Sequence, residues 1–247
     1  ESQRTLGQPV PDLSSIRWAD TGTSATPPSL IAALRELLPQ AVIRVFYGST
    51  EAGPVTCLEG DALDDHPHSC GLPMHGVRVR VSEDGELELQ GPNVFDGHLG
   101  DGPSAFTADR WLRTGDLAEI DDEGYVSITG RVKDVIRSGG HTVAPSEVEA
   151  VLATLPGIAD VAVVGLPDPD WGEVVCAVIV PRPGQNAPGL EFIRRRCADR
   201  LAPFKHPRRL VVVDAIPRTA STHQVKRHAL VASLQASAPV GPVGQAA

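Results

Sequence analysis

Hydrophobic and polar positions along the chain follow three successive patterns, the first of which covers residues 1–60. Strand-like sequence in "LSSIRWADTGT" precedes "SLIAALRELLP" (residues 29–39), where apolar side chains recur at helical spacing up to Pro39. The apolar run "AVIRVFYG" then reads as a second strand. Strand, helix and strand in this order predict a parallel sheet with a crossover helix.

The second pattern covers residues 61–132 and consists of short alternating strands with glycine-containing turns. "GVRVRVSEDGELELQG" predicts a hairpin that turns at Asp84 and Gly85, and "DLAEIDDEGYVSITG" predicts another at Glu123 and Gly124. This region is therefore expected to form a small antiparallel or barrel-like subdomain.

The third pattern covers residues 133–235 and predicts a compact α+β domain. "APSEVEAVLATLPG" places Ser146 and Glu149 at capping-box spacing, and "GLEFIRRRCADRLAPF" is a second amphipathic helix. "DVAVVGL" and "EVVCAVIVP" are typical of buried strands, and Cys176 in the second run is expected to be a buried thiol. Residues 236–247 are rich in small side chains and are expected to be disordered.

Composition limits the class of protein. The 247 residues are 41% hydrophobic, enough for one large domain or two moderate ones. A net charge of −9 argues against nucleic acid or an anionic membrane as a partner. No apolar run approaches the roughly 20 residues that span a bilayer, and the polar opening "ESQR" predicts no signal peptide. Four cysteines without metal-ligand spacing favour a reducing, cytoplasmic location.

Candidate chemistry is concentrated in four stretches, each of which is a weak signal alone. They are "VFYGSTEAGP" (45–54), "WLRTGDLAEI" (111–120), "GRVKDVIRSGGHTVAPSEVE" (130–149) and "AIPRTASTHQVKRHAL" (215–230). In this order and at these separations they resemble the adenylate-forming superfamily, which includes acyl-CoA synthetases, the adenylation domains of nonribosomal peptide synthetases, and luciferases. The resemblance extends over about residues 12–230.

The resemblance implies a fold and a division into domains. Residues 1–132 resemble the C-terminal portion of the large ATP/AMP-binding domain, with a parallel-sheet piece and a small β-barrel-like subdomain. Residues 133–235 resemble the small, mobile C-terminal α+β domain, and Lys133 matches the hinge between the two. The fold class is therefore expected to be α/β followed by α+β.

The resemblance also implies a site for the phosphates of ATP. Thr50 follows a strand in a glycine-containing turn with Gly48, where a hydroxyl and free backbone N–H groups can donate to phosphate. Glu51 supplies a hard oxygen ligand suited to Mg²⁺. Thr50 and Glu51 are therefore expected to take part in catalysis, because stabilising charge at the α-phosphate is the main task in adenylate formation.

Further matching positions are expected to bind the nucleoside. Gly22 falls in the adenine-side loop "DTGTSATPPS", and Tyr47 offers a flat face to adenine. Asp116, after Thr-Gly, is expected to accept both ribose hydroxyls, and Arg131 to add another nucleotide contact.

The second half-reaction of the family requires a large rotation of the small domain. This rotation brings the matching stretch "SGGHTVAP" to the path of the attacking thiol. Gly139 and Gly140 suit this position because a residue without Cβ lets a ligand pass close to the backbone. An ordinary turn is the alternative interpretation of this Gly-Gly pair.

One expected element has no match in the chain. Similar proteins carry, upstream of the Tyr47 strand, a Ser/Thr/Gly-rich loop that ends in lysine and holds the β- and γ-phosphates, and nothing in residues 1–40 resembles it. The chain is therefore expected to be the C-terminal half of the family, with an N-terminal half supplied by the same or another polypeptide.

A second expected element is altered. Family sequences read Pro-Arg-Thr-x-x-Gly-Lys, in which the lysine contacts the carboxylate and the α-phosphate during adenylation. Counted from Pro217 the lysine position falls on His223, and counted back from Leu230 it falls on Gln224, with Lys226 nearby. A glutamine donates a neutral hydrogen bond where lysine would donate a charge-assisted one, so adenylation is expected to be slow and the thiol step to be retained.

These features predict an acyl-CoA synthetase-like ligase. It would activate a carboxylic acid with ATP and Mg²⁺ to acyl-AMP and then transfer the acyl group to coenzyme A. One alternative is an adenylation enzyme that loads the phosphopantetheine of a carrier protein. The other is a non-catalytic nucleotide-binding relative.

Overall fold

The computed structural model describes residues 12–22, 26–100, 105–220 and 223–237. The chain divides into two compact units, with the boundary between Ile128 and Thr129; the sequence patterns place the division at residue 132. Most of the predicted disordered tail, residues 238–247, lies outside the described residues.

The first unit begins with a mixed four-stranded sheet in the order β1–β2–β3–β4. Its elements are β1 (Trp18–Thr21), α1 (Pro28–Leu37), β2 (Val42–Ser49), β3 (Gly53–Glu59), α2 (Ala62–Asp65) and β4 (Leu72–Pro73). β1 and β2 are parallel, and the other neighbours are antiparallel. The crossover helix α1 begins at a proline and buries Ile31 against Ile43 and Val45, so the predicted strand–helix–strand unit is present.

A second, four-stranded sheet completes this unit, in the order β5–β6–β7–β8. Its strands are β5 (Arg78–Val81), β6 (Glu86–Gln90), β7 (Leu112–Ile120) and β8 (Val126–Arg131). The predicted hairpin turns contain Gly85 with φ +83° and Gly124 with φ +88°, conformations that favour glycine. The core includes Val55 from the first sheet together with Leu89 and Leu112 from the second, and Tyr47 of β2 packs against this cluster.

The second unit is an α+β domain built on a five-stranded sheet. Its elements are β9 (Ile136–Ser138), β10 (His141–Val143), α3 (Pro145–Leu152), β11 (Ile158–Asp168), β12 (Gly172–Pro181), α4 (Leu190–Cys197), β13 (Arg209–Val212) and α5 (Arg227–Ser237). The central strand β12 is antiparallel to β11 and β9 and parallel to β13, and β10 pairs with β9.

Both faces of this sheet are buried, which explains the continuous apolar runs in β11 and β12. Val163 and Ala177 pack on the face that carries α3 and α4, whereas Val164 and Cys176 pack on the face that carries α5. Burial raises the pKa of the Cys176 thiol to about 11. Cys176 is therefore the buried, protonated thiol that the sequence predicted.

The predicted capping box at the start of α3 is wrong. Pro145 occupies the first turn and Ala144 is the N-cap, without a side-chain cap bond. The Ser146 hydroxyl instead donates to the carbonyl of Thr129, and the Glu149 carboxylate accepts the backbone N–H of Val163 at 2.8 Å. A proline at the first position suits a helix N-terminus because its missing N–H has no partner there, so the helix begins before the serine.

Among the described residues, no helix combines the length and apolar character needed to cross a membrane.

Candidate functional site

The carboxyl ends of the parallel strands β1 and β2 lie at one edge of the first sheet. Gly22 follows β1 and packs on the backbone of β2, because a Cβ on Gly22 would lie 2.7 Å from the carbonyl oxygen of Phe46. Ligands of open α/β sheets commonly bind at this kind of edge. Residues 23–25 of the predicted adenine-side loop lie outside the described residues.

Tyr47 and Asp116, two of the predicted nucleoside-binding residues, are in direct contact. The Tyr47 hydroxyl donates to Asp116 Oδ2 at 2.8 Å, across 69 positions of sequence. Asp116 is only 6% exposed. Burial raises the pKa of Tyr47 well above its usual value, and the Asp116 charge adds to that effect. The phenol therefore stays a donor, and the carboxylate is oriented by it.

A bulge in β7 directs Asp116 toward Tyr47. The pairing of β6 with β7 shifts register between Glu86 and Glu88, opposite Thr114-Gly115-Asp116. Gly115 has φ +73°, and its N–H donates to Glu86 Oε1 at 2.8 Å. The Thr114 hydroxyl accepts the N–H of Asp116 at 3.1 Å. β-Bulges commonly re-aim a side chain at functional sites, and only the glycine signals this one in the sequence.

The turn that carries Thr50 and Glu51 joins β2 to β3. Its backbone is held by the neighbouring segment: Phe95 N–H donates to the Glu51 carbonyl at 2.8 Å, and the Asn93 amide donates to the Ala52 carbonyl. Thr50 is exposed and Glu51 is partly buried. The pKa of the Glu51 carboxyl is lowered, mainly because the carboxylate accepts a hydrogen bond from the backbone N–H of Glu51 itself. Glu51 is therefore an anion on a fixed turn.

The carboxylate of Glu51 is compatible with the Mg²⁺ that the sequence resemblance implies. Mg²⁺ at phosphate sites commonly takes one or two carboxylates and completes its coordination with substrate phosphates and water. In the part of the chain that the structure describes, no cluster of three or more His, Cys, Asp or Glu side chains could hold a metal ion. One ionised carboxylate at the turn of Thr50 and Glu51 is compatible with coordination by one carboxylate together with phosphates and water.

Gly48 is required by the close approach of β2 and β3. A Cβ at this position would lie 2.1 Å from the carbonyl oxygen of Gly53. We expect Gly48→Ala to lower the free energy of unfolding by about 1–3 kcal/mol or more, the usual cost of overpacking. Urea unfolding measures this effect. Gly189→Ala is the control, because no described atom lies within 4 Å of its Cβ position; an equal loss in both variants would contradict the prediction.

Arg131 and Lys133 lie at the surface where the second unit begins. Lys133 is the middle residue of a 3₁₀ turn, Val132–Asp134, between β8 and β9. The Asp134 carboxylate lies 3.5 Å from the guanidinium of Arg227, which also donates to Glu149 at 2.6 Å. The turn of the predicted hinge residue is thus tied to the start of α5.

Gly139 and Gly140 form the tight turn between β9 and β10, with φ +58° and +80°. The space above Gly139 is filled by Trp171, since a Cβ there would lie 2.4 Å from the indole Cε3. No described atom lies within 4 Å of the Cβ position of Gly140. The Arg208 guanidinium covers the indole at 3.6 Å from the ring centroid. Gly140 is therefore the one of the pair that is open to a ligand, and the sequence interpretation missed Trp171.

His223, Gln224 and Lys226 are exposed on the second arm of a hairpin that precedes α5, whose two arms are joined by an isolated β-bridge between Arg218 and Val225. Thr219 N–H donates to the Gln224 carbonyl at 2.9 Å, and Lys226 N–H donates to the Pro217 carbonyl at 2.8 Å. His223 has φ +53°, in the left-handed region. Residues 221–222 lie outside the described residues.

Comparison with known proteins agrees with this architecture. The family model described as AMP-binding enzyme matches residues 2–99, and the model described as AMP-binding enzyme C-terminal domain matches residues 147–222. Among solved structures, ATP-bound MatB from Rhodopseudomonas palustris superposes with a TM-score of 0.77 at 31% identity over 87% of this chain and 45% of its own. The o-succinylbenzoate CoA synthetase MenE of Bacillus subtilis, in complex with OSB-AMP, gives a TM-score of 0.75 at 29% identity, over 92% of this chain and 48% of its own.

Curated relatives are CoA ligases by name. The 3-[(3aS,4S,7aS)-7a-methyl-1,5-dioxo-octahydro-1H-inden-4-yl]propanoyl:CoA ligase of Rhodococcus jostii is 41% identical over 89% of this chain and 43% of its own length. The indoleacetate–CoA ligase of Aromatoleum aromaticum is 38% identical over 85% and 43%. The chain thus spans less than half the length of these relatives. It spans 84% of the 4-coumarate–CoA ligase 1 of Glycine max, at 32% identity over 92% of this chain. The chain belongs to the adenylate-forming superfamily of AMP-binding enzymes.

Proposed function

We propose that this chain carries the AMP-binding surface and the mobile C-terminal domain of an AMP-forming acid–thiol ligase. In the first step a carboxylate attacks the α-phosphorus of ATP, which gives acyl-AMP and releases pyrophosphate. In the second, a coenzyme A thiolate attacks the acyl carbon and releases AMP. The observation that carries the proposal is the hydrogen bond from Tyr47 to the buried Asp116, beside the sheet edge of Gly22.

The first unit is proposed to hold the nucleotide. Asp116 accepts the ribose hydroxyls, and the phenol of Tyr47 keeps that carboxylate oriented while its ring faces adenine. The Thr50 hydroxyl donates to the α-phosphate, and Glu51 holds Mg²⁺, which neutralises phosphate charge when bound. This assignment is supported by the fixed turn at Glu51 and by the lowered pKa of its carboxyl.

The second unit is proposed to serve both steps in two orientations, with a rotation about Lys133 between them. Arg131, two residues before this hinge, would add a nucleotide contact. The Gly139-Gly140 turn would line the path of the thiol, with the open Gly140 nearest the ligand and Gly139 under the indole of Trp171. Phosphopantetheine on a carrier protein ends in the same thiol as coenzyme A and is the alternative acceptor.

Gln224 is proposed to occupy the position of the family lysine. In the family pattern that lysine follows a glycine, and His223 adopts the left-handed φ that favours glycine. This backbone supports the alignment counted back from Leu230 over the one counted from Pro217. Gln224 can donate a neutral hydrogen bond only, so adenylation is expected to be slower than thioester formation.

The residues that bind the β- and γ-phosphates are proposed to lie outside this sequence, in the same or another polypeptide. The Rhodococcus and Aromatoleum relatives are more than twice as long as the part this chain matches, which is 43% of each. Residues 1–40 also lack a Ser/Thr/Gly-rich loop that ends in lysine.

The proposal is tested by measuring the two half-reactions separately. The protein is given either ATP, acid and CoA, or preformed indoleacetyl-AMP or an aliphatic acyl-AMP with CoA. We expect thioester formation from acyl-AMP to exceed the ATP-dependent rate by about 10²-fold or more, the usual cost of losing one group at a developing charge. Equal impairment of the two steps would contradict it. Acyl-pantetheine formation from free pantetheine, which lacks the nucleotide of CoA, tests the alternative acceptor.

A second candidate is a nucleotide-binding protein without ligase activity, which the neutral Gln224 favours. It predicts AMP binding that depends on Asp116, with neither half-reaction. The same pair of assays distinguishes the two functions.

A further inference from the structure

The carbonyl and the N–H of the peptide unit between His223 and Gln224 are both hydrogen-bonded to side chains of the opposite arm of the hairpin. The carbonyl oxygen of His223 accepts a hydrogen bond from Arg218 Nη1 at 2.8 Å. The N–H of Gln224 donates to the Thr219 hydroxyl at 3.1 Å. Both polar groups of one peptide unit are thus bound by adjacent residues, which fixes its rotation as well as its position.

These hydrogen bonds stabilise a left-handed backbone conformation at His223. A non-glycine residue at φ +53° is uncommon and is kept only where the surroundings stabilise it. His223 N–H donates to the Thr219 carbonyl at 3.1 Å, so Thr219 contacts the backbone on both sides of the His223 Cα. The direction in which the Gln224 side chain leaves the hairpin follows from this conformation.

Asp160 of β11 orients the Arg218 guanidinium. Arg218 Nη2 donates to Asp160 Oδ1 at 2.7 Å and Nε to Oδ2 at 3.2 Å, which is a bidentate pair. Asp160 Oδ1 also accepts the N–H of Val161 at 2.9 Å, and the pairing of β11 shifts register between Ile158 and Asp160. The irregularity in the strand directs the carboxylate to the base of the hairpin. A fork-shaped guanidinium is needed, because its third nitrogen reaches His223 while the other two bind Asp160.

We propose that Asp160, Arg218 and Thr219 are positioning residues that fix the 223–224 peptide and so present Gln224 to the reacting carboxylate and α-phosphate. The inference rests on the proposed function for the role of Gln224, whereas the arrangement of the three residues stands independently of it. A side chain at a reacting centre must be held within about 0.5 Å of its productive place by supporting residues. These three supply that support from a strand and from the hairpin itself.

Two variants test the proposal, each with a matched control. Thr219→Val removes the hydroxyl at nearly constant volume, and Arg218→Lys removes the fork but keeps the charge. Thr154→Val is the control for the first, since its hydroxyl donates to the Val151 carbonyl at 2.8 Å and accepts from Arg200 Nη1 at 3.2 Å, and neither partner belongs to the hairpin. Arg209→Lys is the control for the second, because Arg209 pairs with Asp168 of the same strand β11 at 3.3 Å.

The first readout is hydrogen exchange of the Gln224 amide in the whole protein, followed by NMR. We expect exchange to accelerate by about tenfold in Thr219→Val, the factor that one hydrogen bond represents, and in the same direction in Arg218→Lys. The controls should leave it unchanged. Unchanged exchange in both test variants overturns the proposal.

The second readout separates positioning from stability. We expect kcat of acyl-AMP formation to fall about tenfold in both test variants, with KM for ATP and the rate from preformed acyl-AMP unchanged. A parallel loss of both half-reactions with a lowered melting temperature overturns a positioning role. If the parent protein forms thioester neither from ATP and acid nor from preformed acyl-AMP, the proposed function fails, and amide exchange alone decides whether the three residues fix the peptide.

Discussion

Asp116→Asn is expected to weaken AMP binding by about 10²-fold. The carboxylate is 6% exposed and already accepts one hydrogen bond, from Tyr47. Two ribose hydroxyls would add two charge-assisted bonds. Charge-assisted bonds contribute about 1.5–3 kcal/mol each and neutral ones about 0.5–1.5, so the amide forfeits roughly 1–1.5 kcal/mol at each hydroxyl. The total corresponds to about two orders of magnitude in affinity.

Calorimetric titration with AMP and with 2′,3′-dideoxy-AMP measures this effect and assigns it to the ribose. The parent protein should prefer AMP strongly, whereas this preference should shrink by about 10²-fold in Asp116→Asn. Asp109→Asn is the matched control in the same unit, because its carboxylate pairs with Arg80, which lowers the pKa of Asp109 to about 2. An undiminished preference for AMP in Asp116→Asn would contradict the assignment.

Gln224→Lys is expected to accelerate acyl-AMP formation by about 10²–10³-fold. The reason is that a preorganised group that stabilises developing charge is commonly worth this factor, and glutamine brings no charge. Because the 223–224 peptide is already held by Arg218 and Thr219, the new side chain should leave the hairpin in the direction that glutamine takes. Pyrophosphate exchange into ATP measures the first step alone.

His223→Lys and Lys226→Gln are the controls for this gain. His223→Lys places the same charge one position earlier, at the residue with φ +53°, and should give no gain. Lys226→Gln should leave the gain intact in the Gln224→Lys background, because Lys226 lies beyond the fixed peptide. A gain from His223→Lys instead would show that the alignment counted from Pro217 is the right one.

The local fold was largely readable in the sequence. Helical spacing in residues 29–39 corresponds to α1, Pro28–Leu37, and the Gly85 and Gly124 turns are where the hairpins of the second sheet form. Such signals are short-range, because periodicity and left-handed glycines act within a few residues. The prediction of a capping box was also wrong for a local reason, because the helix begins at Pro145 and Ser146 therefore lies inside it.

The predicted site was readable as a set of residues but not as an arrangement. Thr50, Glu51 and Asp116 were predicted because they match motifs of the family and because their residue types suit phosphate, metal and ribose, and these roles stay predictions. Their surroundings were not predicted: the bulge that aims Asp116 depends on a register shift between strands, and the peptide held by Arg218 depends on a carboxylate 58 positions away. The indole above Gly139 was likewise hidden, because it arrives from another strand connection.

The amino-acid sequence alone determined the helices and strands, because their periodicity depends on neighbours within a few positions. It also determined the family of the chain, because the family is indicated by several motifs in a fixed order. Which distant groups meet was settled by tertiary packing: the phenol of Tyr47 on Asp116, and the guanidinium of Arg218 on Asp160. Side-chain contacts across strands depend on register and bulges, and a slip of one residue would turn each of these groups to the opposite face.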